Sequence, residues 1–171
     1  MGGSNVTHII MRVNNLKELE KELKKRINNA LTNEVSNGVK DVMTDHIISD
    51  VYDKYDPIAY TRRLNDGGLL DRDNMLSDLK CDSVLSVKNI TLGDKYYTFA
   101  GEQRVSQNYN KPIADVVETG EGYDVSGWEY DGVERPFMKN TAQDIKDNHY
   151  HTIAMKQGLE RQGLEVKIKR G

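Results

Sequence analysis

The segment His149-Tyr150-His151, two residues after Asp147, sets two imidazoles beside a carboxylate, the donor types that hold a transition metal. On a helix, however, positions 149 and 151 point to different faces, unlike an i, i+4 pair, so a surface role is expected and no metal site. His8 and His46 are read as surface groups too, with no ligand-type partner at helical spacing. Carboxylate pairs such as Asp71 and Asp73 are plentiful, but no spacing singles out a general acid and base. A metal-dependent nuclease using Asp71, Asp73 and His149 is a remote alternative. No Ser lies in a nucleophile turn, and Cys81, the one cysteine, has no neighbouring His in sequence.

Gly120-Glu121-Gly122-Tyr123-Asp124-Val125 has the outline of a phosphate-cradling turn, but the third glycine falls at Gly127. The same loop carries Glu118, Glu121, Asp124, Glu129, Asp131 and Glu134, with no Lys or Arg before Arg135, and repels anions. It reads as a solvated surface or as an acidic contact surface for basic groups of a partner. Catalysis, cofactors and metals are therefore not expected.

The elements that carry these residues come from 171 residues, 37% of them hydrophobic, with 24 Lys and Arg against 27 Asp and Glu and a formal charge of -3. That length suits one domain with a modest core. Two Phe and one Trp are few for an enzyme that must enclose a substrate, whereas nine Tyr suit wet or shared surfaces. Near-neutral charge argues against broad nucleic-acid binding, and one cysteine forms no internal disulfide. Neither a membrane-length apolar run nor a secretion signal is present, so an unexported chain is expected. At Met1-Gly2-Gly3-Ser4-Asn5-Val6-Thr7 an acylation signal fails because Val6 stands where a hydroxyl residue is required. Residues 1–14 are read as a flexible leader and possible first strand, and 15–171 as a single domain.

From Asn15 to Tyr55, Leu16, Leu19, Leu23, Ile27, Leu31, Val35, Val39, Val42 and Ile47 recur at helical spacing, with Asn14 or Asn15 as cap. Asn37-Gly38 is the expected kink, and four-residue steps from Leu19 to Val39 drift away from a coiled-coil heptad. Alternation from Leu85 to Ile90, a break at Gly93-Asp94 and the run Lys95 to Phe99 read as a hairpin. Ile113 to Val117 leans towards a strand. Asn140 or Thr141 caps a C-terminal helix towards Leu159, and Leu164 to Lys169 alternates as a last strand. The expected class is α+β: a long N-terminal helix and a C-terminal helix on a small, mainly antiparallel sheet, with an acidic loop at about 118–135.

The order of landmarks is similar to the tail-component family of long-tailed bacteriophages. The landmarks are Leu16-Lys17-Glu18-Leu19-Glu20-Lys21-Glu22-Leu23, Tyr60-x-Arg62-Arg63, Gly68-Leu69-Leu70, Val117-Glu118-Thr119-Gly120 and Arg135-Pro136-Phe137-Met138. The chain departs from that pattern in a polar insert around Gln103 to Lys111 and in the acidic loop between Gly120 and Glu134. The resemblance implies a non-enzymatic virion protein, assembled in the host cytoplasm, that completes the tail or joins head to tail. Its implied partners are its own copies in a ring, hexamer-type or higher, and other neck, connector or tail proteins. DNA would pass through the ring without sequence-specific binding, and no membrane is involved. Physically, Arg135 can hold a carboxylate, Pro136 fixes the start of the helix, Phe137 anchors it in the core, and Gly120 permits a turn. Glu118, Gly120, Glu121, Asp124, Glu129, Asp131 and Glu134 are the acidic-side interface candidates, facing Lys167, Lys169 and Arg170 of a neighbour. The alternative is a cytosolic homodimeric binding or regulatory module that pairs through the Leu16 to Val39 helix.

Overall fold

The computed structural model describes residues 15–54, 62–81, 83–97, 101–106, 108–122 and 132–168. Helix starts at α1 (Leu16–Ala30), where the Asn15 side chain accepts the Glu18 N–H at 2.9 Å. It continues through a π-helical turn (Leu31–Val35), α2 (Ser36–His46) and a second π-helical turn (Ile47–Tyr52), making one unbroken rod over 16–52.

Asn37-Gly38 is therefore not a kink. Gly38 lies inside α2 facing α5, where a Cβ would meet Ala154 at an ordinary 3.7 Å. The irregularity falls instead on the two π turns. Apolar residues spaced by four drift around an α-helix, and a wider turn brings them back to one face. Leu31 with Val35, and Ile47 with Val51, are buried accordingly.

The expected hairpin pairs differently. A 3-10 turn (Arg72–Asn74) leads into β1 (Met75–Lys80), which is antiparallel to β2 (Val84–Asn89), with Met75 opposite Asn89 and Lys80 opposite Val84. β3 (Lys95–Tyr97) pairs not with β2 but with β4 (Gln103–Val105). Gly93, taken as the hairpin turn, lies where the Asn108 carbonyl comes too close to leave room for a Cβ. β1 escapes a sequence reading because its link to β2 has no Gly, Pro or Asn, although Cys81 and Ser83 adopt φ of 32° and 77°. The Ser36 and Ser77 hydroxyls, 2.6 Å apart, tie α2 to the hairpin.

Ile113 to Val117 is helical, not extended: α3 (Ala114–Thr119) buries Ala114 and Val117, one helical turn apart, and ends at left-handed Gly120. The C-terminal helix is two helices, α4 (Phe137–Asn148) and α5 (Tyr150–Arg161), broken at His149, whose φ is 55°. It begins at Phe137, where the Arg135-Pro136-Phe137 landmark puts it, and not at Asn140 or Thr141. Thr141 is a buried residue whose hydroxyl donates back to the Phe137 carbonyl at 2.6 Å, and the Asn140 amide donates to Asp50 at 2.9 Å, so neither caps. Residues 164–168 are not a paired strand: among the described residues they have no ladder partner.

The fold is α+β. α5 runs antiparallel to the rod, with Gln162 beside Arg26, Gly158 beside Ala30 and Ala154 beside Gly38. One core joins rod, hairpin, α3 and α4: Met43, Ile47, Val51, Leu69, Met75, Ala114, Val117 and Phe137. Under it, Asn89 donates to the Leu69 carbonyl at 2.8 Å and Thr91 to the Gly68 carbonyl at 3.1 Å, so the buried polar groups of that turn are satisfied.

Candidate functional site

The described ends of the acidic loop are clamped together by the chain on either side of it. Gly120 has φ 73°, and a Cβ there would lie 2.5 Å from the Val133 carbonyl carbon, so only glycine fits both the turn and the approach. The Gly132 N–H donates to the Gly120 carbonyl at 2.8 Å, and the Arg135 N–H to the Val117 carbonyl at 3.2 Å. Phe137 is fully buried and its N–H donates to the Arg135 carbonyl at 2.8 Å, which fixes how the chain turns at Pro136 into α4.

Glu118 has a use that the sequence does not reveal. Its two carboxylate oxygens accept the Met138 N–H at 2.8 Å and the Lys139 N–H at 3.0 Å, capping the first turn of α4 from α3. This carboxylate is directed into the fold. Glu118→Ala is expected to cost about 1–2 kcal/mol of stability. Glu118→Gln, which keeps one acceptor oxygen, should cost less, as urea denaturation of the three proteins will show.

Of the other interface candidates, Glu121 and Glu134 are exposed at the loop ends. Lys167 is exposed and 3.3 Å from Glu165. Asp124, Glu129, Asp131, Lys169, Arg170 and Tyr60 lie outside the described residues. Arg62 donates to the Tyr52 carbonyl at 3.0 Å and stacks 4.7 Å from the centre of the Tyr52 ring, closing the end of the rod. Arg135 is buried beside a cleft of about 330 Å³ lined by Asp50, Lys54, Val133, Glu134, Pro136 and Asn140.

Next to that cleft is a cluster that the sequence reading passes over. His46 Nδ1 lies 2.9 Å from Asp50, one helical turn ahead on the rod, and Nε2 lies 3.4 Å from Asp144 on α4. The expectation that His46 has no ligand-type partner at helical spacing is thus corrected: Asp50 is its i+4 neighbour, and this spacing was the available signal. Each ring nitrogen faces a carboxylate, so neither is open to a substrate, and the cluster ties the rod to α4. Burial pushes the Asp50 carboxyl upward. Hydrogen bonds from Asn140, His46 and Ser49, with the charge of His46, outweigh this and hold it below the ordinary carboxylate value.

A lowered native pKa contributes stability that is fully present above the unfolded value and is lost as pH falls through the native one. Thermal melts at pH 7 and pH 3 should therefore show a larger drop for the wild type than for Asp50→Asn, with the difference opening below about pH 4.

The remaining chemical candidates are dispersed. Asp71 accepts the Asp73 N–H at 3.0 Å and the Gly67 N–H at 2.8 Å, and these bonds lower its pKa in an exposed turn. His149 and His151 stand edge to face with centroids 6.4 Å apart at the α4–α5 break. Among the described residues no group of three His, Cys, Asp or Glu is placed to hold a metal ion.

Residues 15–161, from the cap of α1 to the last residue of α5, match the model of the YomN family. The chain belongs to the YomN family. Over 125 residues, 71% of this chain and 73% of the relative, the chain is 34% identical to the SPbeta prophage-derived uncharacterized protein YomN of Bacillus subtilis (strain 168). The relationship is thus to a phage-derived protein. No solved structure matches. Among the described residues of this YomN-family chain, no helix is long and apolar enough to cross a membrane.

Proposed function

We propose that the chain is a non-enzymatic structural virion protein, a tail-completion or head-to-tail joining component that assembles into a ring and links neighbouring connector and tail-tube proteins. The observation that carries this reading is the kinship with a prophage-derived protein over 71% of the chain, within a family whose model spans residues 15–161. The order of landmarks, which is similar to that of phage tail components, is what points the reading to the neck and tail.

The side chains support an assembly role. Polar groups that could have formed a reaction centre are spent on one another: Glu118 on α4, His46 between Asp50 and Asp144, and Asp71 on its own turn. Apolar groups are left over instead, with Leu16, Leu19, Leu23, Ile153 and Ile168 exposed. A thin core with spare apolar surface is what a subunit completed by its neighbours requires. A ring of this kind, hexamer-type or higher, passes DNA without reading its sequence and works in the virion after assembly in the host cytoplasm. The exposed leucines of α1 also suit the homodimeric regulatory module.

Deletion of the gene from the phage that encodes it separates the two readings. The joining role predicts filled heads and finished tails that stay apart in electron micrographs, rejoined when the protein is supplied in trans. Joined, infectious particles made without the protein would refute it, and altered phage gene expression in such a mutant would favour the regulator.

A further inference from the structure

Asp66-Gly67-Gly68 turns the chain from Arg63 towards the core at Leu69, and the shape of the turn requires both glycines. Gly67 has a φ of 72°, in the left-handed region, and a Cβ at Gly68 would run into the Leu64 backbone. The turn therefore brings with it an Asp-Gly bond, a dipeptide open to spontaneous rearrangement because glycine has no side chain to shield its nitrogen. Asp66 is exposed, so water reaches that bond. Asn37-Gly38, a second pair of this type among the described residues, is wound into α2.

In the rearrangement the Gly67 nitrogen attacks the side-chain carboxyl carbon of Asp66. A nitrogen–carbon bond forms, the amide proton leaves with the carboxyl's hydroxyl group as water, and a succinimide ring results. Water then adds to one of the two ring carbonyls and opens it, returning either aspartate or isoaspartate, in which the main chain runs through the side-chain carbons and is longer by a methylene. That methylene would fall just ahead of Gly68, whose carbonyl accepts the Asn74 amide at 3.0 Å and the Thr91 hydroxyl at 3.1 Å under the core.

We propose that Asp66-Gly67 is a latent isoaspartate site, kept closed by the Asp71 side chain, which holds the attacking nitrogen. The Gly67 N–H donates to the Asp71 carboxylate at 2.8 Å. The nitrogen attacks only after giving up this proton and turning its lone pair towards the Asp66 carboxyl, and a charge-assisted bond opposes both. The Asp66 N–H donates to the Arg63 carbonyl at 2.8 Å, which pins the backbone on the other side of the bond. Asp71 is a poor base for removing the Gly67 proton itself. It accepts the Asp73 N–H at 3.0 Å as well, and the bonds from Asp73 and Gly67 hold its carboxyl below the ordinary carboxylate value. The guard is a side chain, so it can be removed while every residue of the turn itself is kept.

The test ages the folded full chain at physiological temperature and neutral pH, with thermal melts to confirm folding. Isoaspartate is counted in the tryptic peptide 64–72 by isoaspartyl methyltransferase labelling and electron-transfer fragmentation. The wild type should accumulate little, and its Gly67 amide should exchange slowly with deuterium. Asp71→Ala is expected to raise the rate of isoaspartate formation by about 2- to 10-fold, the worth of one such hydrogen bond. Asp71→Asn, which keeps a neutral acceptor, should raise it less. Adding Asp66→Glu to Asp71→Ala should remove the signal, since the longer side chain closes a larger ring more slowly. Asn74→Ala loosens the turn at Gly68 without touching the Gly67 N–H and should leave the rate unchanged. An unchanged rate in Asp71→Ala, or an equal rise in Asn74→Ala, would overturn the guard, the second in favour of turn rigidity alone. A lower rate in Asp71→Ala would overturn it by making the carboxylate the base. Rapid exchange of the wild-type Gly67 amide would overturn it even where the Asp71 variants do not fold.

Discussion

Phe137→Ala is expected to lower the unfolding free energy by about 3–5 kcal/mol, enough to leave most small domains close to unfolded. Phe137 has no exposed surface and packs in the one core that joins the rod, hairpin, α3 and α4. Its removal leaves a cavity where these elements meet. The surroundings cannot collapse easily into it, because the Phe137 backbone is fixed by its bond to the Arg135 carbonyl and by Glu118 capping the two residues that follow. Phe137→Leu, which keeps much of the volume, should cost markedly less. Urea midpoints will measure both, and a loss below about 1 kcal/mol for the alanine variant would show that α4 is not held through this ring.

Gly158→Ala should destabilise by about 1–3 kcal/mol, against the usual gain when alanine replaces a helical glycine. A Cβ at Gly158 would lie 2.7 Å from the Cβ of Ala30, 3.1 Å from its Cα and 2.5 Å from a Glu34 carboxylate oxygen. The Ala30 contacts are fixed by the rod itself. Glu34 has little freedom to yield, since its other oxygen holds Arg161 at 2.6 Å. α5 must therefore move away from the first π turn.

Gly38→Ala is the matched comparison, on the same helix pair. There the new Cβ meets Ala154 at an ordinary 3.7 Å, so the propensity gain of up to about 1 kcal/mol should be realised. Opposite signs in chemical denaturation are the expected result. Equal signs would mean that α5 does not sit on the rod as described.

These two glycines show where the sequence was readable and where it was not. The apolar stripe from Leu16 to Ile47 correctly implies a long helix and its Asn15 cap, because both signals are local. The kink assigned to Asn37-Gly38 fails because one glycine costs a helix only about 1 kcal/mol, which packing against α5, more than a hundred residues away in sequence, outweighs. Strand pairing is likewise a long-range matter. β2 was visible in its alternation, but its partner β1 reaches it through Cys81-Asp82-Ser83, which lacks the Asn-Gly or Asp-Gly pair that marks a tight hairpin. Val116 and Val117 suggested a strand, and burial of Ala114 with Val117 made the segment a helix.

The site shows the same division. The turn at Gly120 and the anchoring of α4 by Phe137 were legible, since a left-handed turn is written into glycine and a large apolar residue after proline marks a buried helix start. Glu118 looked like surface charge because its capping partners, Met138 and Lys139, come from the far side of the loop. His46 with Asp50 was present as an i, i+4 pair, but Asp144, which completes the cluster, enters only through the packing of α4 on the rod.

Native mass spectrometry of the full chain across a wide concentration range tests whether it is, as proposed, a ring-forming subunit of a phage particle. A ring-forming subunit gives one discrete closed species, hexamer-type or higher, whose stoichiometry does not grow as concentration rises. A monomer at every concentration, both alone and mixed with the neighbouring connector and tail proteins, would contradict it.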